Sequence, residues 1–216
     1  MVLEKMSDFF ADRADTYDEH MLKNVEGCKN GYLEMAKLLP SATSKLLDLG
    51  CGTGLELGKI FELYPSISVT GIDLSETMTR KLKEKYSGRD ITIINGSYLG
   101  YDFGFDLYDA AISFQTMHHL SHSEKISVYS EVCKSLKSGG TYIECDYMVT
   151  DKAEEDFLYA ENSRVRKEQN IPDGEFYHFD TPCTIENQVS MLLQAGFASA
   201  EFVWREGNTT IIISKK

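Results

Sequence analysis

Two rhythms of apolar residues alternate along the chain. Short apolar runs come at Leu46 to Leu49, Ile67 to Ile72, Ile91 to Ile94, Tyr108 to Phe114 and Thr141 to Cys145, each followed by Gly, Asp, Asn or Gln. Between them, apolar residues recur every three or four positions: Leu57, Ile60, Phe61 and Tyr64; Met78 and Leu82; Ile126, Tyr129, Cys133 and Leu136. The first rhythm predicts buried strands, and the second predicts helices with one face pressed against them. Such alternation predicts an open, mostly parallel sheet. A last helix carries Ile185, Val189, Leu192 and Leu193 on one face, with Thr184 as its cap and Gly196 at its end. Ala200 to Trp204 and Thr209 to Ser214 then flank Glu206-Gly207-Asn208, a hairpin signal.

Two stretches fall outside this repeat. Residues 1–40 predict two helices, one with Phe10, Ala14 and Tyr17 on a face, the other with Val25, Cys28, Tyr32, Met35 and Leu39. Residues 151–180 open as a very polar helix, turn at Pro172-Asp173-Gly174 and continue into Tyr177-His178-Phe179-Asp180. Both are expected to belong to one domain spanning residues 1–216, as the length implies.

Chemistry concentrates at the strand ends. Lys45 to Leu49 runs into Gly50-Cys51-Gly52-Thr53-Gly54 and then a helix. Glycines there permit positive φ and let a ligand approach the backbone, beside the free N–H groups of a helix start. Leu55 stands where a dinucleotide fingerprint has its third glycine, and Asp48 precedes the loop by two residues. A phosphate gains nothing from that acid, whereas an α-amino group or another cation does. Asp73, at the next strand end and about 20 residues on, is placed to reach a ribose diol.

Charge and cysteines narrow the partners. Lys+Arg number 22 against 34 Asp+Glu, a net charge of −12, which opposes a nucleic-acid partner. The five cysteines are dispersed and odd in number, as expected of reduced thiols in the cytoplasm. Acids and lysines near the N-terminus leave no signal-peptide core, and no apolar run reaches the ~18 residues of a membrane helix. His118, His119 and His122 lack a paired carboxylate motif, so no metal site is expected.

Asp48-x-Gly50-x-Gly52-x-Gly54, Gly71-Ile72-Asp73-Leu74-Ser75, Asp109 to Leu120 with its His-His-Leu, and the Gly139-Gly140 turn together resemble the class I S-adenosylmethionine-dependent methyltransferases of small molecules. The resemblance implies a Rossmann-like three-layer α/β sandwich, its seven-stranded, mostly parallel sheet closed by an antiparallel hairpin strand. It implies S-adenosyl-L-methionine as cofactor, bound by Tyr17, Asp48, Gly50, Cys51, Gly52, Asp73, Leu74, Met78, Ser97, Tyr98 and Phe114. Ser97 stands where the family commonly has the aspartate that reads adenine, and Tyr17, Phe114 and Tyr147 are aromatic candidates to face the sulfonium. Residues 1–40 then form a helical cover, and residues 151–180 an acceptor-side insertion.

Expected function follows as in-line methyl transfer to a small-molecule acceptor, by a monomer or homodimer. His119 is the candidate base, and His118 is expected to point elsewhere because adjacent helical residues diverge by about 100°. The competing readings are a non-catalytic cofactor-binding or regulatory protein, an RNA methyltransferase, and a nicotinamide-dependent oxidoreductase.

Overall fold

A computed structural model describes residues 2–216. Three helices lead the chain: α1 (Met6–Arg13), α2 (Tyr17–Lys23) and α3 (Cys28–Leu38). Strand and helix then alternate through β1 (Lys45–Leu49), α4 (Leu55–Leu63), β2 (Ser68–Asp73), α5 (Glu76–Lys85), β3 (Ile91–Asn95), β4 (Tyr108–Phe114), α6 (His122–Ser135) and β5 (Leu136–Val149). The chain finishes with α7 (Lys152–Glu168), β6 (Cys183–Thr184), α8 (Ile185–Gln194), β7 (Ser199–Glu206) and β8 (Thr209–Lys215).

The sheet runs β3-β2-β1-β4-β5-β8-β7, with the two-residue β6 pairing β5 off this path. Pairings from β3 to β5 are parallel, and β8 is antiparallel to both β5 and β7. The expected architecture is therefore present, with β6 as an addition. Alternation along β1 shows why both faces are covered. Leu46 enters one apolar cluster with α3 and α4, while Leu47 and Leu49 enter the other with α6 and α8. Asp48 shares the Leu46 face and is itself buried.

Three local expectations need correction. The N-terminal region forms three helices, because α3 starts on Gly27 at φ 80, where a Cβ would lie 2.4 Å from the Glu206 carbonyl oxygen. Apolar spacing carries no mark of that contact with the terminal hairpin. Leu193 is exposed, and α8 instead buries Gln188, Met191 and Leu192. Gln188 turns inward because its Nε2 donates to the buried Glu144 carboxylate at 2.5 Å. β5 also begins earlier than the expected strand, since Leu136 pairs with Tyr108 across an irregular register at Tyr108/Ala110.

Asp109 sits in that irregularity and fastens the start of the sheet. Its Oδ2 accepts from the Ser44 and Lys45 N–H groups at 3.0 and 2.8 Å and from the Ser44 hydroxyl at 2.7 Å. Lys137 Nζ stands 2.5 Å from its Oδ1. Burial alone would raise its pKa, but Lys137 and these donors outweigh it and hold the carboxyl well below the usual range. We expect Asp109→Ala to lose about 1–3 kcal/mol of unfolding free energy at neutral pH in denaturant titrations. Because the folded pKa is depressed, this stabilisation is complete above the ordinary value of 3.8 and fades as pH falls through the folded value. Variant and wild type should converge in acid; an undiminished gap there would show that the carboxylate charge is not what matters.

Candidate active site

Parallel strands leave their carboxyl ends on one edge, and the strand order reverses between β1 and β4. Ligands of open α/β sheets bind outside such a reversal. The loop after β1 reaches it through three left-handed glycines, Gly50 at φ 68, Gly52 at φ 46 and Gly54 at φ 71. Gly50 has a second reason to be glycine: a Cβ there would lie 2.5 Å from Thr116 Oγ1. The loop is tied to β2, since the Gly50 N–H donates to the Ile72 carbonyl at 2.8 Å. Asp73 accepts from the Gly52 N–H at 2.9 Å and the Ser75 N–H at 2.8 Å. Burial raises its pKa, and those two bonds oppose the rise.

Beneath the loop lies an electrostatic tension. Asp48 and Glu56 share a side-chain hydrogen bond that needs a proton on one of them, and beyond each other neither Asp48 oxygen nor Oε1 of buried Glu56 has a partner among the described residues. Burial, then the nearness of Glu56, raises Asp48 well above the carboxylate range. Burial also pushes Glu56 up to about 7. Two buried acids held together only by a shared proton fit a cationic ligand group that would displace it.

Two cavities meet above the strand ends. One, of about 60 Å³, touches Gly50, Asp73, Leu74, Ser97, Tyr98 and Thr116 beneath Met6 and Phe176. The other, of about 850 Å³, is lined by α1, α2, Gln115, Tyr147, His178, Asp180 and Thr209. Phe10 and His119 line both. The polar segment after α7 is bound to the N-terminal segment: Met6 N–H donates to the Phe176 carbonyl at 3.0 Å, and His178 N–H to the Glu4 carbonyl at 2.9 Å. The segment after α7 and the start of the chain are thus tied together beside the large cavity, while α3 packs in the core.

At the shared wall, Met117–His119 makes a single 3-10 turn. His118 Nδ1 bonds Asp146 Oδ1, and the Met117 N–H donates to Asp146 Oδ2 at 2.7 Å. The expectation that His118 points away is overturned. Its Nε2 lies 3.5 Å from Asp180 Oδ1, and His119 Nδ1 lies 3.4 Å from the same oxygen. Asp146 holds the first ring from behind, so both rings close on Asp180. Burial lowers His118, but Asp146 outweighs it and the net shift is upward. Burial, then His118 and His178, hold His119 well below its ordinary value, so it is neutral at neutral pH. Gln115, at the end of β4, adopts φ 50, and its Nε2 donates to Thr209 Oγ1 at 3.2 Å. Such strain in a non-glycine residue clusters at functional sites.

The remaining residues singled out in the sequence divide between the site and its frame. Tyr17 and Tyr147 line the large cavity. Tyr98 lines the small one and bonds Thr116 Oγ1 at 2.9 Å through its hydroxyl. Ser97 also lines it, though its Oγ accepts from the Leu99 N–H at 3.1 Å. Met78 is buried, its terminal methyl 3.7 Å from where a Gly52 Cβ would stand. Two assignments are corrected. Phe114 stacks on Tyr32 at 3.9 Å in the core and lines neither cavity, because position seven of β4 points to the α3 face. The Cys51 side chain packs near Gly71 in the same core, leaving only its backbone at the loop. His122 lies apart from the other two histidines, with its Nε2 2.9 Å from Glu155 Oε1. Asp146, Gln115, Thr116 and Asp180 carried no spacing signal; Gln115 stood directly after an expected strand, Asp146 at the end of one that in fact continues past it, and Asp180 in the polar segment singled out after Pro172-Asp173-Gly174.

Known proteins match this chain. A family model described as a methyltransferase domain matches residues 46–140. A methyltransferase of Geobacillus sp. is 30% identical, the match covering 66% of this chain and 68% of that protein. The chain belongs to the class I S-adenosylmethionine-dependent methyltransferases. The carboxy-S-adenosyl-L-methionine synthase of Nautilia profundicola is 23% identical over 99% of the methyltransferase and 96% of its own length. Human N-acetylserotonin methyltransferase, solved with S-adenosylmethionine, superposes with a TM-score of 0.67 at 17% identity over 97% of the chain. The methyltransferase spans only 56% of that human chain.

S-adenosylmethionine is the cofactor of this methyltransferase. The residues fit it: Asp48 and Glu56 are buried acids with no partner but each other, the kind a cationic amino acid end would satisfy, and Asp73 stands at a strand end of the kind that reads a diol. Raised carboxyl pKa values mean that the cofactor-free protein loses stability as pH rises from the ordinary 4.5 of Glu56 through about 7. A bound cation reverses the shift, so binding should release protons. Calorimetry in buffers of different ionisation enthalpy should show this release near pH 7 for the wild type and a smaller one for Asp48→Asn, which keeps only Glu56 to release a proton. The variant should also unfold at a higher temperature without cofactor yet bind it ~10-fold or more weakly. Buffer-independent heats in the wild type would contradict the charge assignment.

Proposed function

We propose that the protein transfers a methyl group to a small-molecule acceptor held in the large cavity, and that Phe10 and His119 form the boundary across which transfer occurs. One observation carries this reading: the crevice bearing the cofactor motifs and a metabolite-sized cavity share those two residues. A volume of about 850 Å³ suits a small organic acceptor. Its walls mix aromatic Phe9, Phe10, Tyr17 and Tyr147 with polar Asn24, Gln115 and Asn208.

The cofactor brings the electrophilic methyl, so the protein's part is chiefly orientation, a contribution of ~7–11 kcal/mol when reacting atoms are well placed. Asp73 and the Gly50–Gly54 backbone hold the nucleoside. Asp48 with Glu56 holds the amino acid end. Tyr98 and Ser97 border the adenine side, and the roof built from residues 4–13 and 169–182 keeps water out. His119 is the polar group at the boundary, neutral and with an unpartnered Nδ1. In our reading the enzyme works in the cytoplasm. All five cysteines are free and buried, and no helix among the described residues is long and apolar enough to cross a membrane.

Incubation with methyl-labelled cofactor and a metabolite pool should give a labelled small product. On that acceptor, His119→Ala should lower kcat by ~10²-fold or more with cofactor affinity nearly unchanged. A rise in KM alone would reduce His119 to a wall of the pocket. Absence of labelled product with a competent cofactor site would favour a binding role over catalysis.

A further inference from the structure

Beyond the cofactor residues, the shared wall holds a second arrangement. His118 Nε2, His119 Nδ1 and Asp180 Oδ1 all lie within 4.8 Å of one another. Two of the separations are 3.5 and 3.4 Å. Asp180 Oδ1 and His119 Nδ1 are sealed from solvent and have no hydrogen-bond partner among the described residues. The rings are oriented from behind: His118 Nδ1 bonds Asp146, and the His119 ring bonds the Phe179 backbone. Each ring therefore turns its remaining nitrogen toward the carboxylate. Three electron-pair donors converge with nothing between them.

We propose that His118 Nε2, His119 Nδ1 and Asp180 Oδ1 form a binding site for a divalent first-row transition ion, with its open coordination positions toward the large cavity. Bonds of ~2.0–2.1 Å in tetrahedral array set donor atoms ~3.3–3.4 Å apart, so the two histidine-to-Asp180 separations need little adjustment. Histidines backed by a carboxylate or a carbonyl are the common form of metal-bound imidazole. Two imidazoles and one carboxylate select zinc- or iron-type ions over magnesium or calcium. His178 Nε2, 3.6 Å from Asp180 Oδ1, stands beside the set as a further donor. A second group, His122, Glu155 and Cys183, also offers donor atoms. There the cation position is already filled, since Lys125 Nζ lies 3.0 Å from Cys183 Sγ.

With Nδ1 on the ion and its other nitrogen on the Phe179 backbone, His119 would keep no lone pair to act as a base; its part would be to hold the ion, and the ion would hold an oxygen or nitrogen of the acceptor beside the wall shared with the cofactor. That use rests on the methyl-transfer reading; the ion site itself does not.

Chelator-stripped full-length protein titrated with Co²⁺ tests the site. Visible d–d bands should saturate at one equivalent, and the melting temperature should rise. Asp180→Asn and His119→Ala should each weaken Co²⁺ binding by at least ~10-fold, with far-UV circular dichroism and S-adenosylhomocysteine binding as folding controls. Cys183→Ser should bind as the wild type does. No saturable Co²⁺ binding, equal binding by Asp180→Asn, or a sulfur-to-cobalt charge-transfer band lost in Cys183→Ser would each overturn the proposal. Methyl transfer that persists in any of those cases would leave the proposed function standing.

Discussion

Everything chemical in this protein hangs on the placement of β1. It pairs in parallel with β2 on one side and β4 on the other, Leu49 lying opposite Ile72 and Ser113. That double pairing sets the reversal of strand order, and with it the edge where a ligand can enter between helices. It also brings the Gly50–Gly54 loop against Asp73 from β2 and Thr116 after β4. Two elements far apart in sequence thus reach the glycine loop through a register, not through local chemistry. A slip of one residue would turn Asp48 to the other face and remove the site's acid.

Given that frame, the site is built from buried charge left unsatisfied. Asp180 and His119 carry sealed polar atoms without partners, as do Asp48 and Glu56 beyond each other. Ordinary surface acids behave differently here: Asp109, with four donors, is held low, and the polar α7 satisfies its charges in exposed pairs such as Arg164 with Glu161. Unpaired buried polar groups are destabilising. Glu144, Asn162 and Ser214 carry such atoms away from this edge; at the edge itself the fold gives up stability where ligands can restore the missing partners.

Much of this was legible in the sequence. The apolar rhythm marked the parallel strands, and glycines with an acid before them marked the loop at the switch in strand order, because those features are local. The Ser121 capping box with Glu124 and the Ser75 cap formed as expected for the same reason. What stayed hidden was long-range. Its place at a strand end makes Phe114 look like a site residue, but strand parity sends it to Tyr32. His118 was sent away by an assumption of helical geometry, and Asp146, 28 positions later, holds it in place. Asp180 arrives through the roof segment, whose path depends on bonds between Glu4–Met6 and Phe176–His178. No period or motif encodes that bond.

The central claim is that the cofactor lies along the β1–β2 edge with its sulfur at the wall between the two cavities. A crystal structure with S-adenosylhomocysteine tests it most directly. The account predicts the ribose hydroxyls on Asp73, the amino group toward Asp48 and the sulfur next to Phe10 and His119, facing the large cavity. A nucleoside bound in the large cavity, or a sulfur turned away from that wall, would contradict it.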